Sequence, residues 1–223
     1  MKRLSRSPRA LASLLFTTGL FAATASAQVR ITEWMYSGND GEFIEFTNVG
    51  TSAVDMAGWS FDDDSRTPFT VDLSAFGTIA AGESVILTEV TAEAFRTAWG
   101  LDAGVKVIGG FTANLGRADE INLFDPISGG TLADRLTFGD QVFSGSIRTQ
   151  NASGWARPEF LGANTVGSWV LATEGDVLGS YASVGGDIGN PGVYFSAVPE
   201  PASAGVLLGL VALAGTSLRR RRR

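Results

Sequence analysis

The sequence predicts an all-β protein, and three observations support this prediction. Short alternating or apolar runs recur between turns rich in Gly, Asn and Asp, mostly about 8–15 residues apart. The 223 residues include 28 Gly but only three Met, a composition typical of turn-rich β-structure. The close spacing favours a sandwich or barrel over βαβ units. A chain of this length can bury the core of one main domain.

The first two strands are predicted at 29–36 and 42–48, on either side of the hairpin signal Asp40-Gly41. In the second strand, Ile44 and Phe46 are expected to face one side of the sheet. The same alternation predicts further strands at 53–56, 58–62, 69–73, 84–89, 105–108, 120–124 and 132–138.

One short helix is predicted over 92–99. Thr91 can cap its N-terminus and Gly100 can end it. Phe95 and Trp99 lie four residues apart, so we expect them to face the core together. We also expect this helix to cross between the two sheets.

Residues 141–197 form a Gly- and Asn-rich extension in which the strand signals become sparse. Segments 142–147 and 168–171 are expected to pair. Trp155 and Trp169 indicate that part of the extension packs on the sandwich. The Gly-rich residues 185–192 are interpreted as a turn or linker toward the membrane.

The N-terminal residues 1–27 have the pattern of a secretory signal peptide. Basic residues precede an apolar stretch, and Ala25-Ser26-Ala27 forms a small-x-small cleavage site. Cleavage between Ala27 and Gln28 would leave Gln28 as the first residue. The alternative of an N-terminal membrane anchor is disfavoured, because the apolar run is shorter than the ~20 residues that span a bilayer.

The C-terminal residues 198–223 combine three features in a fixed order. Pro199-Glu200-Pro201 comes first, an apolar or small-residue segment at 202–218 follows as a predicted transmembrane helix, and five arginines end the chain. This arrangement resembles the PEP-CTERM sorting signal of Gram-negative bacteria. The resemblance implies that a membrane exosortase recognises and processes the tail. The body would be anchored transiently and then reach the cell surface or extracellular matrix. The alternative is a plain C-terminal anchor.

The electrostatics of the body differ from those of the whole chain. The two ends contain nine of the 17 basic residues but only one of the 23 acidic residues, so segment 28–197 has a net charge of −14. Such a charge argues against nucleic acid as a partner. Cations, or basic and neutral polymers, remain electrostatically allowed.

Five stretches between residues 28 and 140 share the order and spacing of one known family. They are 31–34 (Ile-Thr-Glu-Trp), 42–48 (Glu-Phe-Ile-Glu-Phe-Thr-Asn), 54–62 (Val-Asp-Met-Ala-Gly-Trp-Ser-Phe-Asp), 79–84 (Ile-Ala-Ala-Gly-Glu-Ser) and 116–125 (Gly-Arg-Ala-Asp-Glu-Ile-Asn-Leu-Phe-Asp). Together they resemble the lamin tail domain, although Ala81 stands where the family often has proline. The resemblance implies an immunoglobulin-like β-sandwich and no particular activity.

The residue types exclude most catalytic centres. The chain has no His and no Cys, so Ser-His-Asp triads, thiol nucleophiles and thiolate metal sites are ruled out. Carboxylates are then the most numerous acid–base groups. Glu33, Glu42 and Glu45 lie on two strands that are expected to pair, and Glu33 with Glu45 could form a carboxylate pair of the glycosidase type. The favoured interpretation is that these glutamates are exposed and that the protein is not an enzyme.

A second acidic cluster, Asp62-Asp63-Asp64, could contribute oxygen ligands to Ca²⁺. The spacing of a calcium loop is absent, so a solvated turn is the favoured interpretation and no cofactor is predicted. Asp119 and Glu120 are expected to form a surface ion pair with Arg117.

The sequence therefore predicts an exported, non-catalytic protein of the cell surface or extracellular matrix. Its sandwich would bind or space other components, and its tail would direct sorting. The expected partners are signal peptidase and exosortase during export, then a surface polymer or other matrix components. Two alternatives remain, a carboxylate-based glycan hydrolase and a Ca²⁺-stabilised adhesin.

Overall fold

The computed structural model describes residues 29–194, in which short strands joined by turns and loops are the main regular structure. The strands are β1 (Val29–Met35), β2 (Phe43–Asn48), β3 (Val54–Asp55), β4 (Ser60–Asp62), β5 (Val71–Asp72), β6 (Thr78–Ile79), β7 (Ser84–Thr88), β8 (Val107–Gly109), β9 (Ala118–Asp125), β10 (Thr131–Gly139), β11 (Gly154–Ala156), β12 (Trp169–Leu171), β13 (Tyr181–Ala182) and β14 (Ile188–Gly189). The helix α1 spans Ala92–Trp99. Short 3₁₀ turns lie at Ser74–Phe76, Ile127–Gly129, Pro158–Phe160 and Val166–Ser168.

Two sheets pack face to face. One has six strands in the order β12-β11-β1-β2-β7-β8, and the other has four in the order β10-β9-β4-β5. Buried side chains from both sheets form the main core between them, including Trp34, Phe46, Phe61, Leu123 and Phe138. The prediction of an all-β sandwich is therefore confirmed. Within residues 29–194, neither sheet closes into a barrel.

An irregularity in β1 decides which residues face the core. The β1–β2 register shifts between Ile31 and Glu33. Ile31 and Trp34 consequently both join the main core although they are three positions apart, which a regular strand would not allow. Glu33 and Met35 face the outer side of the six-stranded sheet instead.

The predicted helix is confirmed with its caps. Thr91 Oγ1 accepts a hydrogen bond from Ala94 N at 3.2 Å, and Gly100 ends the helix in the left-handed region at φ 62°. Phe95 and Trp99 are buried together against the outer face of the six-stranded sheet. The expectation that α1 crosses between sheets is wrong. It joins β7 to β8, which are parallel neighbours in one sheet, and parallel pairing requires such a crossover.

The strand predicted at 142–147 is also wrong. Its amides make local turns, with Val142 N and Phe143 N both donating to Gly139 O, and Gly145 has φ 89°. The edge strand β12 pairs with β11 instead, a strand that the sequence patterns did not reveal.

Residues 185–192, interpreted as a turn or linker, begin in a turn in which Gly186 N donates to Ser183 O, and the residues that follow pack on the fold. Asp187 has no exposed surface and Asn190 is 8 % exposed. The Asp187 carboxylate accepts a hydrogen bond from Asp40 N at 2.8 Å, which ties this segment to the β1–β2 turn. The segment and α1 together cover the outer face of the six-stranded sheet, so the fold has a third, partial layer.

Several predictions lie outside the described residues. These are the signal peptide 1–27 with its cleavage site at Ala27 and Gln28, the motif Pro199-Glu200-Pro201, and the transmembrane segment 202–218. Between residues 29 and 194, no helix has the length and hydropathy needed to cross a membrane.

Candidate functional site

Glu33 and Glu45, here called the carboxyl pair, lie directly opposite each other on β1 and β2. The expectation that these two strands pair is confirmed. Both side chains have no exposed surface, so the interpretation of exposed glutamates is wrong. The cause is the third layer, in which residues 189–194, here called the covering segment, lie over the pair.

Glu33 is held by the neighbouring strand and by the covering segment. Its Oε1 accepts hydrogen bonds from Ser153 Oγ and from Asn190 N, the latter at 2.9 Å. Its Oε2 is buried and has no hydrogen-bond partner among the described residues. A Cβ at Gly189 would lie 2.9 Å from Glu33 Oε1, so the close approach of this backbone requires glycine.

Glu45 is surrounded by hydroxyl groups. Its Oε1 accepts hydrogen bonds from Thr32 Oγ1 at 2.6 Å and Thr47 Oγ1 at 3.3 Å. Its Oε2 accepts one from Gly192 N at 2.7 Å. Each member of the carboxyl pair therefore binds one backbone amide of the covering segment.

Burial changes the protonation of the carboxyl pair. Desolvation and, to a smaller extent, the nearby Glu45 charge raise the pKa of Glu33 to about 8, even though hydrogen bonds from Ser153 and Asn190 oppose the shift. Desolvation also raises the pKa of Glu45. At neutral pH the pair therefore retains at least one proton.

The third glutamate, Glu42, belongs to a separate site. Its Oε1 accepts a hydrogen bond from Leu115 N at 2.9 Å, in the loop that precedes β9. Desolvation raises the pKa of Glu42 to about 8. Because residues 189–194 cover the carboxyl pair and Glu42 lies apart from it, this geometry offers no open cleft with two carboxylates for a glycan.

The aspartates predicted as a cation site shape a turn. Asp62 Oδ2 accepts hydrogen bonds from Ser65 Oγ at 2.7 Å and from Thr67 N at 2.5 Å. Asp63 Oδ1 accepts one from Ser65 N, while Asp64 is exposed. Among residues 29–194, no three acidic side chains are grouped as metal ligands. Binding of Ca²⁺ by Asp62, Asp63 and Asp64 stays a prediction.

A polar network on the outer face of the four-stranded sheet was missed by sequence reasoning. Glu120 is its centre and accepts two hydrogen bonds from Arg66, both at 2.7 Å, and one from Thr137 Oγ1 at 3.0 Å. Hydrogen bonds from Arg66 are the main cause that lowers the pKa of Glu120 to about 2. The predicted ion pair of Arg117 with Asp119 and Glu120 is wrong, because Arg117 binds Asp140 at 2.6–2.7 Å.

A shallow groove of about 270 Å³ lies beside this network. Its lining includes charged groups from Asp64, Arg66 and Asp119, together with the partly exposed Val142 and Phe143. The groove therefore offers both fixed polar groups and apolar surface to a ligand.

Replacement of Glu120 by alanine is expected to lower the free energy of unfolding by about 1–3 kcal/mol, because Arg66, Asn122 and Thr137 lose their shared acceptor. Chemical denaturation monitored by Trp fluorescence would measure this. The matched control is Asp140→Ala, which removes a carboxylate that is more exposed than Glu120 and has fewer partners, and which should cost less. Equal losses in both variants would contradict the central role of Glu120.

The architecture by itself defines the class of protein. Two open sheets packed face to face, with one helix on an outer face, define an immunoglobulin-like β-sandwich. The family model described as Lamin Tail Domain matches residues 22–140, which is more than half of the chain. The chain belongs to this family.

A second family model, the PEP-CTERM protein-sorting motif, matches residues 197–223. Both resemblances predicted from the sequence are thus confirmed. The sorting motif implies recognition by an exosortase and export to the cell surface of a Gram-negative bacterium. Searches of the curated proteins and of the solved structures return no match.

Proposed function

We propose that this protein is a non-catalytic module of the cell surface or extracellular matrix, whose sandwich binds or spaces other matrix components. The observation that carries the proposal is the sorting motif at 197–223, attached to a lamin tail domain. Signal peptidase would remove residues 1–27, and exosortase would process the tail after transient anchoring through 202–218.

The covered carboxyl pair supports the non-catalytic part of this proposal. General acid–base catalysis requires a titrating group within hydrogen-bond reach of the substrate. Glu33 and Glu45 have no exposed surface, and backbone amides of the covering segment occupy one oxygen of each. The chain has no His or Cys to replace them.

The groove beside Glu120 supports a binding role for the sandwich. It combines a fixed arginine–carboxylate pair with exposed apolar side chains, a mixture suited to polar polymers that also have apolar faces. The charge of −14 over segment 28–197 favours a neutral or basic polymer over a polyanion.

Mass spectrometry of the protein recovered from its own cells tests this proposal. We expect an N-terminus at Gln28, a C-terminus changed by processing, and any attached polymer as added mass. Replacement of Pro199, Glu200 and Pro201 by alanine should leave the tail intact and the protein in the membrane fraction.

Two results would contradict the proposal. One is recovery of the wild-type chain from the cytosol with both ends intact. The other is robust hydrolysis of a glycan by segment 28–197 that is lost in Glu33→Gln or Glu45→Gln.

A further inference from the structure

The covering segment leads directly into the sorting signal and is fixed at both of its ends. It starts at Gly189, which pairs with Tyr181 through the β13–β14 ribbon. It ends at Tyr194, whose hydroxyl donates to Ala156 O at 2.9 Å. Between these points, Asn190 N and Gly192 N donate to the carboxyl pair.

The state of this segment sets the length of chain that precedes the motif. With Tyr194 bound, five residue steps lead to Pro199, a reach of at most about 18 Å. With the segment free beyond Gly189, ten steps give a reach of about 36 Å. The contacts of residues 190–194 therefore set the greatest distance from the folded body that the motif can reach.

We propose that Glu33 and Glu45 are positioning residues for the sorting signal, because their carboxyl groups hold the covering segment on the sheet and so limit how far from the folded body the following motif can reach. The inference rests on the sorting role of residues 197–223. The family matches assign no such role to Glu33 or Glu45.

The geometry also makes the binding of the covering segment dependent on the protonation of the carboxyl pair. Two carboxyl groups lie opposite each other in a site without water access, so ionising both of them costs desolvation and mutual repulsion. Opening the covering segment returns both groups to water and removes these costs. Ionisation therefore favours the open state.

The groups that surround the pair do not offset its charge. Asp176 in the turn before β13 and Tyr181 in β13 face Glu33, while Tyr194 faces Glu45. Each of these groups is acidic or neutral. Hydroxyl groups of Thr32, Thr47 and Ser153 complete the surroundings.

The linkage between ionisation of the carboxyl pair and opening of the covering segment sets the size of the pH effect. With a pKa of about 8 for Glu33 in the closed state and 4.5 in the open state, the open fraction should rise on the order of 10- to 100-fold from pH 6 to pH 9. The remainder of the body should stay folded, because Asp187 binds Asp40 N and Asn151 Nδ2 before the segment begins.

Hydrogen exchange of the full-length chain in detergent, measured at pH 6 and pH 9 and corrected for intrinsic exchange rates, tests this inference. In the wild type, the amides of Asn190 and Gly192, which donate to the carboxyl pair, should lose protection 10- to 100-fold. In Glu33→Gln and Glu45→Gln, each of which keeps the side-chain shape but removes one ionisation, the loss should be smaller. The double variant should show almost none.

Glu42→Gln is the matched control, since Glu42 is also buried but binds Leu115 rather than the covering segment. It should leave the pH response of residues 190–194 unchanged. Near-UV circular dichroism would report whether the wild-type body stays folded at pH 9.

Three outcomes would overturn the proposal. They are equal protection of residues 190–194 in the wild type at both pH values, an unchanged pH response in the double variant, or unfolding of the whole body at pH 9. None of these measurements depends on export or processing. Failure of this inference can therefore be distinguished from failure of the proposed function.

Discussion

The free energy of unfolding is expected to fall as the pH rises from about 5 to 9, and the melting temperature should fall with it by more than about 5 °C. The pKa of Glu33 and that of Glu42 are both about 8 in the folded chain, against 4.5 in the unfolded chain. Between these values the folded chain binds more protons than the unfolded chain. The contribution of these two glutamates to stability is therefore fully present below about pH 4.5 and is lost as the pH rises through 8.

The lowered pKa of Glu120 has the opposite effect on the free energy of unfolding, and this effect appears at acidic pH. Its pKa of about 2 lies below the ordinary value of 4.5, so its contribution is present above that value and is lost as the pH falls toward 2. The profile should consequently show its maximum in the mildly acidic range.

Thermal melts followed by circular dichroism at pH 5, 7 and 9 would measure the alkaline loss. Glu42→Gln should reduce the slope without affecting the covering segment, and Glu33→Gln should reduce it through the carboxyl pair. A melting temperature that is constant or rises between pH 5 and 9 would show that these glutamates are ionised in the folded state.

Replacement of Trp34 by alanine is expected to cost about 3–5 kcal/mol of stability, the usual range for removing a buried aromatic side chain. Trp34 is 1 % exposed and lies between the sheets. Its ring centroid is 3.9 Å from that of Phe138 and 6.4 Å from that of Trp169. Alanine would leave a cavity at a point where strands of both sheets meet.

Chemical denaturation of the variant and wild type at pH 6 would measure this loss. Val142→Ala is the control, because Val142 is 66 % exposed and its truncation should change stability by less than about 0.5 kcal/mol. A loss below about 1 kcal/mol for Trp34→Ala would mean that Trp34 is not part of the main core.

Local signals explain most of the successful strand and helix predictions. The alternation of Ile44 and Phe46 with polar neighbours set the core face of β2, and the caps Thr91 and Gly100 set the bounds of α1. These features depend on residues close together in sequence. The partner of each strand does not, which explains why β11 was missed and why 142–147 was assigned to a strand.

The candidate sites were less predictable. Sequence spacing indicated that Glu33 and Glu45 would pair, but their burial depends on Asn190 and Gly192, which lie more than 140 positions along the chain from them. A Gly-rich stretch such as 185–192 has the same local pattern in a linker and in a closely packed cover. The choice of Arg66 rather than Arg117 as the partner of Glu120 likewise depends on the β4–β9 pairing.

The sequence by itself determined the family, the sorting signal and the alternation that makes strands, because each of these is written in residues that are near one another. The tertiary structure alone decided which carboxyl groups lose contact with water. Desolvation depends on everything that packs around a group, and here the packing comes from a distant segment that covers the outer face of the sheet.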